Sequence, residues 1–167
     1  MNISKDSLFK ISIKEESLIE SGSVRYLFGI IFYNVSGYVF PEEMWYDFVL
    51  DILLWWIEKI LDLYSGKETF VVICFMEGSF LATVGLKENS QCEIKLIEGC
   101  KECGEQEIIH KEITIPLYQL KNEVLEACKT LIDAIKKPEE FGQYNDYLKL
   151  KEKYEELSNI VDEDEGP

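Results

Sequence analysis

Cys100-Lys101-Glu102-Cys103-Gly104 is the sharpest chemical motif in the chain. Two thiolates at this spacing, followed by a glycine that lets amides approach sulfur, form half of a tetrahedral zinc site. A closed site needs four ligands. Cys92 and His110, eight and seven residues from the pair, are the remaining candidates, and they converge if the last two strands form a hairpin. The set Cys92, Cys100, Cys103 and His110 defines one reading, a zinc-stabilised adaptor domain. No second CxxC is present, and the plainer alternative is two thiols in a hairpin loop. A thioredoxin-type redox pair opens a helix after a strand, whereas this pair falls between two predicted strands.

His110 is the single histidine, so a Ser-His-Asp or Cys-His mechanism would have to pass through it. Within Ile108-Ile109-His110-Lys111-Glu112 it alternates away from the apolar positions, as a solvent-facing strand residue does. There is no GxSxG, phosphate loop, HExxH or Gly-rich dinucleotide turn. The carboxylates offer two pairs at helical spacing, Asp47 with Asp51 and Glu58 with Asp62. Such ridges can hold a metal or serve acid–base chemistry, but they also form the ordinary wet side of an amphipathic helix. Like charges four residues apart repel mildly. The expectation is a protein that is not an enzyme and needs no cofactor, with an enzyme of unrecognised chemistry as the alternative.

These residues need elements to hold them. Ser7 to Lys14 and Arg25 to Tyr33 read as two strands, and the turn cluster Asn34-Val35-Ser36-Gly37 ends the second. Phe40-Pro41-Glu42-Glu43 reads as the start of a long helix, with Pro near N1 and acids in the first turn. Its buried face carries Trp45, Phe48, Val49, Ile52, Leu53, Trp56, Ile60 and Leu63, with Asp47, Asp51, Glu58 and Asp62 opposite and Gly66 closing it. Trp45 and Trp56 belong to the core and Trp55 to its flank. Phe70 to Phe75 and Phe80 to Leu86 form a hairpin about Glu77-Gly78, and Cys92 to Ile97 and Glu107 to Ile115 form another. Pro116 starts a second amphipathic helix, and Tyr144 to Leu157 a third, mostly charged one. The expected architecture is α+β: one antiparallel sheet of about six strands, covered by the long helix and one or two C-terminal helices. Residues 1–137 form the domain, 138–160 a helical extension and 161–167 a disordered acidic tail.

The chain has 167 residues, room for one domain. Lys and Arg number 17 against 32 Asp and Glu, a net charge of −15. That balance excludes a phosphate-backbone binder, which needs clustered cations, and suits a basic partner steered by an acidic surface. Without cations around Trp55, nucleic-acid stacking is not expected. The long apolar stretch from Phe40 to Tyr64 is broken by Asp47, Asp51, Glu58, Lys59 and Asp62, so it reads as a core helix rather than a membrane span. The N-terminal residues lack the apolar core of a signal peptide. Five cysteines without a framework rhythm point to free thiols in a reducing cytoplasm.

Several spaced elements are similar to those of one family: Phe40-Pro41-Glu42, Trp45-Tyr46-Asp47-Phe48, Ile52-Leu53-Leu54-Trp55-Trp56, Phe75-Met76-Glu77-Gly78-Ser79-Phe80 and Ile115-Pro116-Leu117. Over roughly residues 40–135 the chain resembles the small immunity proteins of bacterial polymorphic-toxin and contact-dependent growth inhibition systems. The acidic-Gly-aromatic turn of that family is matched here with Ser79 intervening. The resemblance implies a cytoplasmic protein that binds and neutralises one cognate toxin domain, possessing no catalytic residues. A nuclease toxin with a cationic groove would suit this charge. The contributors expected on these grounds are Asp47, Asp51, Glu58 and Asp62, with Glu77 and Gly78 of the hairpin turn.

Overall fold

The computed structural model describes residues 8–23 and 25–162. The chain opens with β1 (Phe9–Ser21) and β2 (Tyr26–Val35), paired antiparallel. The ladder is broken where Lys14 pairs with Ile30 and Ile19 with Phe28, so that residues 15–18 bulge opposite Gly29 alone. The Ser17 hydroxyl accepts a hydrogen bond from the Ile30 amide at 2.8 Å and donates to the Lys14 carbonyl, replacing ladder bonds lost to the bulge. The bulge also folds Leu18 over Gly29. A Cβ at that glycine would lie 2.6 Å from Leu18 Cδ2 and 3.2 Å from Val49 Cγ2, so the close approach requires the residue without one.

The segment predicted to open the long helix instead returns along β2. β3 (Tyr38–Phe40) and β4 (Tyr46–Phe48) both pair with β2, Phe40 opposite Tyr33 and Asp47 opposite Gly29. The helix α1 starts only at Val49 and runs to Tyr64. The apolar positions Trp45 and Phe48 satisfy a helical period, but β2 offers an unpaired edge: the Ile31 amide donates to the Trp45 carbonyl at 3.0 Å. Edge pairing therefore takes residues that periodicity assigned to the first helical turns. α1 is buried on most sides, through Leu50, Ile52, Leu53, Trp56, Ile57 and Ile60 among others, and touches both β2 and the next strand in the chain. Trp55 is exposed, as its flanking position predicted.

After α1 come β5 (Phe70–Cys74), β6 (Phe80–Leu86), β7 (Gln91–Glu98) and β8 (Ile108–Pro116), a four-stranded antiparallel meander in sequence order. The fold is α+β as expected, but the described residues form two four-stranded sheets rather than one of about six. α1 carries the chain away from β2 before β5 begins, so the later strands pair only among themselves. α2 (Leu117–Ala134) packs on β1, α1 and β8. α3 (Tyr144–Ser158) lies across α1 and α2 and adds Tyr147, Leu150 and Leu157 to the common core, so the expected extension shares the core of residues 8–137.

Val161 and Asp162, the first residues of the expected acidic tail, lie within the described chain. Asp162 is buried against Lys121 of α2, accepts a hydrogen bond from Tyr64 Oη at 2.6 Å, and so pins the end of the described chain to α1 and α2. Residues 163–167 lie outside the described residues. Among the described residues, no helix is long and apolar enough to cross a membrane.

Seven aromatic rings line the seam between the sheets. Tyr33 stacks at 4.8–5.2 Å from Phe9, Trp56 and Phe75, while Phe40 and Trp45 meet Phe80 edge-on. The Tyr33 hydroxyl is fully buried there and has no hydrogen-bond partner among the described residues. Burial, followed by the nearby Cys74 and Asp47, holds its pKa well above the ordinary phenol value. Removing an unsatisfied buried hydroxyl relieves its desolvation cost. Tyr33→Phe should therefore leave the fold as stable or raise its stability by about 1 kcal/mol, read by urea unfolding. A loss of that size would mean the hydroxyl is satisfied.

Candidate functional site

Asp47 is the residue on which the expected acidic face fails. It stands on β4, not on the helix, and its side chain is 0 % exposed. Oδ2 accepts hydrogen bonds from Trp45 Nε1 at 3.1 Å and from the Met76 and Glu77 amides at 3.0 and 3.2 Å, while Oδ1 accepts from the Phe48 amide at 2.7 Å. A buried carboxylate needs such donors. Asp47 therefore joins the first sheet to the β5–β6 turn of the second and has no surface to offer a partner.

The turn it holds presents Glu77 and Gly78 to solvent. Gly78 has φ +67°, and an added Cβ would lie 2.9 Å from the Phe80 ring and 3.2 Å from Trp45, so both the backbone and the packing demand glycine. Glu77 keeps its carboxylate exposed while its amide is tied to Asp47. The other three predicted carboxylates are also dispersed. Asp51 is half-buried under α3 and accepts from Gln143 Nε2 at 2.9 Å. Asp62 is paired with Lys67 at 3.2 Å and Lys59 at 3.9 Å. Glu58 is exposed. α3 docks on α1 and covers the part of its polar side that carries Asp51, while Glu58 stays exposed.

The zinc set does not converge. Cys92 lies at the far end of β7, where it is buried opposite Ile115. Six strand residues, about 20 Å of extended chain, separate it from the end of β7 that leads to Cys100. Burial pushes its thiol up to about 12. Cys100 and Cys103 are joined in a disulfide across a 3₁₀ turn, Lys101–Cys103, with their Cα atoms 5.1 Å apart, which corrects the expectation of free thiols. Cys74, Cys92 and Cys128 are free, and burial raises the pKa of each. Among the described residues no group of three or more His, Cys, Asp or Glu side chains is arranged to hold a metal ion.

His110 does not face solvent freely. Leu96 pairs with Lys111 and Ile97 with Ile109, which leaves His110 as the extra residue of a bulge in β8. The bulge turns its ring toward the first sheet, 5.6 Å from the Phe40 ring. Nε2 lies 2.6 Å from Glu98 Oε2 and Nδ1 2.9 Å from Tyr38 Oη. With the Nε2 proton given to Glu98, Nδ1 accepts from the Tyr38 hydroxyl. Carboxylate, imidazole and phenol thus form a continuous hydrogen-bonded chain on the surface, between β3 and β7. Periodicity missed it because a one-residue bulge reverses which face a strand side chain meets.

Comparison of the chain with protein-family models, with curated proteins and with solved structures finds no match in any of the three.

Two substitutions test these assignments. Asp47→Ala strips an acceptor from four donors and should cost about 3 kcal/mol or more in urea unfolding. Asp47→Asn should cost less, since one amide oxygen can still face the three donors that Oδ2 serves; equal stability of Asp47→Ala and wild type would contradict the assignment. Burial, partly offset by the Gln143 hydrogen bond and reinforced by Asp146, raises the Asp51 pKa. A carboxyl with a raised folded pKa disfavours the fold once ionised. That cost is absent below the unfolded value of about 3.9 and complete above the folded one. Asp51→Asn should therefore melt higher than wild type at neutral pH, with the gap closing as pH falls below about 4; a gap that widens in acid would overturn the sign.

Proposed function

We propose that the protein works by binding another protein, a basic one, and that it neutralises a bacterial toxin domain in this way. The net charge of −15 carries the reading. The described surface keeps carboxylates such as Glu58, Glu77, Glu102 and Glu107 exposed without an ion pair. Such a surface accelerates encounter with a cationic partner and discriminates against an acidic one. The resemblance of residues 40–135 to immunity proteins supplies the class of partner, and Glu77 on its anchored turn is the member of the expected contact set best placed to reach it.

The hydrogen-bonded chain Glu98–His110–Tyr38 favours a second reading, a proton-transfer enzyme in which Tyr38 is activated through His110. A catalytic activity lost in His110→Ala would support it.

The first reading is tested by co-expressing the chain with the C-terminal domain encoded by the gene immediately upstream. Growth should recover, and the two proteins should co-purify through moderate salt. Neither recovery nor capture would remove it.

A further inference from the structure

The four strands of the second sheet turn one face to the core and leave most of the other open, with Ile97 buried there at 6 % exposure beside the Cys100–Cys103 loop. Register places the outward residues in three rows that cross all four strands: Phe70–Gly85–Glu93–Thr114, Val72–Thr83–Lys95–Glu112 and Cys74–Leu81–Ile97–Ile109. The third row is apolar from edge to edge. With Phe70 and Val72 it makes an L-shaped apolar strip, where sheet alternation calls for polar residues. Phe70 and Ile109 are 55 % and 51 % exposed. The Cys100–Cys103 loop overhangs the third row, and the strip forms the floor of an open groove of about 920 Å³.

The charge around this strip is uneven. Lys95 is neutralised by Glu93 and Glu112, and Lys87 by Glu93. Where the β7–β8 loop lines the groove it presents Glu102 and Glu107 against Lys101, while Glu105 lines a separate cleft with Ser79 and Phe80 and accepts a hydrogen bond from the Cys100 amide at 3.0 Å. An apolar floor ending under an acidic loop complements a segment that is apolar along its length and cationic at one end. Adjacent strands lie about 4.8 Å apart, so the row spans about 14 Å, the length of four extended residues with alternate side chains directed down. That span suits a linear segment.

The geometry points to this groove as the docking site for an extended segment of another polypeptide, with alternating apolar residues on the sheet and a Lys or Arg beneath the β7–β8 loop. The inference deepens the proposed binding function and rests on it for the identity of the partner, but not for the site.

The full-length chain, immobilised, is used to select from a random linear-peptide display library, with the Val72→Lys/Ile109→Lys variant selected in parallel. Both positions are exposed, and the single Ile109→Lys variant and thermal melts guard against misfolding. Enriched peptides should alternate apolar residues and carry a basic end. Synthetic versions should bind the variants more than about tenfold more weakly, a loss of about 1.4 kcal/mol, while Trp55→Ser binds as wild type. Three results would overturn the site: no enrichment over the variant, enriched peptides without that pattern, or self-association of the wild-type chain in sedimentation that the variant abolishes. The selection uses no toxin, so growth rescue that persists in Ile109→Lys with no enrichment rejects the groove alone. Enrichment without rescue rejects only the toxin reading.

Discussion

The two sheets share no strand, and the contact that ties their turns together is a carboxylate buried between them. Asp47 reaches from β4 to the amides of Met76 and Glu77 while holding Trp45 and its own neighbour Phe48. A buried carboxylate in that position is tolerable because four donors meet it. The arrangement has consequences on both sides. It fixes Trp45 over the turn, where its ring and that of Phe80 leave room only for glycine at position 78. Asp47 also accepts a hydrogen bond from the amide of Phe48, the residue that precedes α1.

Around that point the aromatic seam and the Glu98–His110–Tyr38 chain complete the joint between the sheets. Tyr33, Phe40, Trp56 and Phe75 fill the interior, and His110 bridges the rim. α3 then covers the part of the polar side of α1 that carries Asp51, with Gln143 hydrogen-bonded both to the Leu27 amide and to Asp51. The joint leaves the second sheet with one face committed to the core and one face mostly open. The open face carries apolar residues in register, so the construction that stabilises the fold also defines the surface available for binding.

Much of this was legible in the residues. The hairpins β5–β6 and β7–β8, the helices α2 and α3, and the burial of Trp56 and Cys128 follow from alternation and helical spacing, because there the local pattern and the tertiary contacts agree. The start of α1 was not legible. Trp45 and Phe48 fit a helical stripe, and only the free edge of β2, formed by distant residues, decides for a strand. Asp47 likewise looks like the polar side of a helix until the donors of a turn thirty residues away are brought to it. His110 was misplaced by a bulge that no alternation announces. The run Phe70-Val71-Val72-Ile73-Cys74 is apolar at every position, a pattern that marks a strand without telling which of its faces stays open. Of the expected contact residues, Glu77 and Glu58 remain accessible, whereas Asp47 and Asp51 were drawn inward by neighbours that sequence spacing does not reveal.

The dependence of the fold on Asp47 is tested most directly by native-state amide hydrogen exchange across residues 75–79. The Met76 and Glu77 amides sit in a solvent-exposed turn, where exchange is ordinarily fast. If the buried carboxylate holds them, they should exchange slowly, together with the Phe48 amide and only when the core opens, while the Gly78 amide in the same turn exchanges rapidly. Fast exchange of Met76 and Glu77 at the rate of Gly78 would contradict the account, because Asp47 would then not tie the β5–β6 turn to the first sheet.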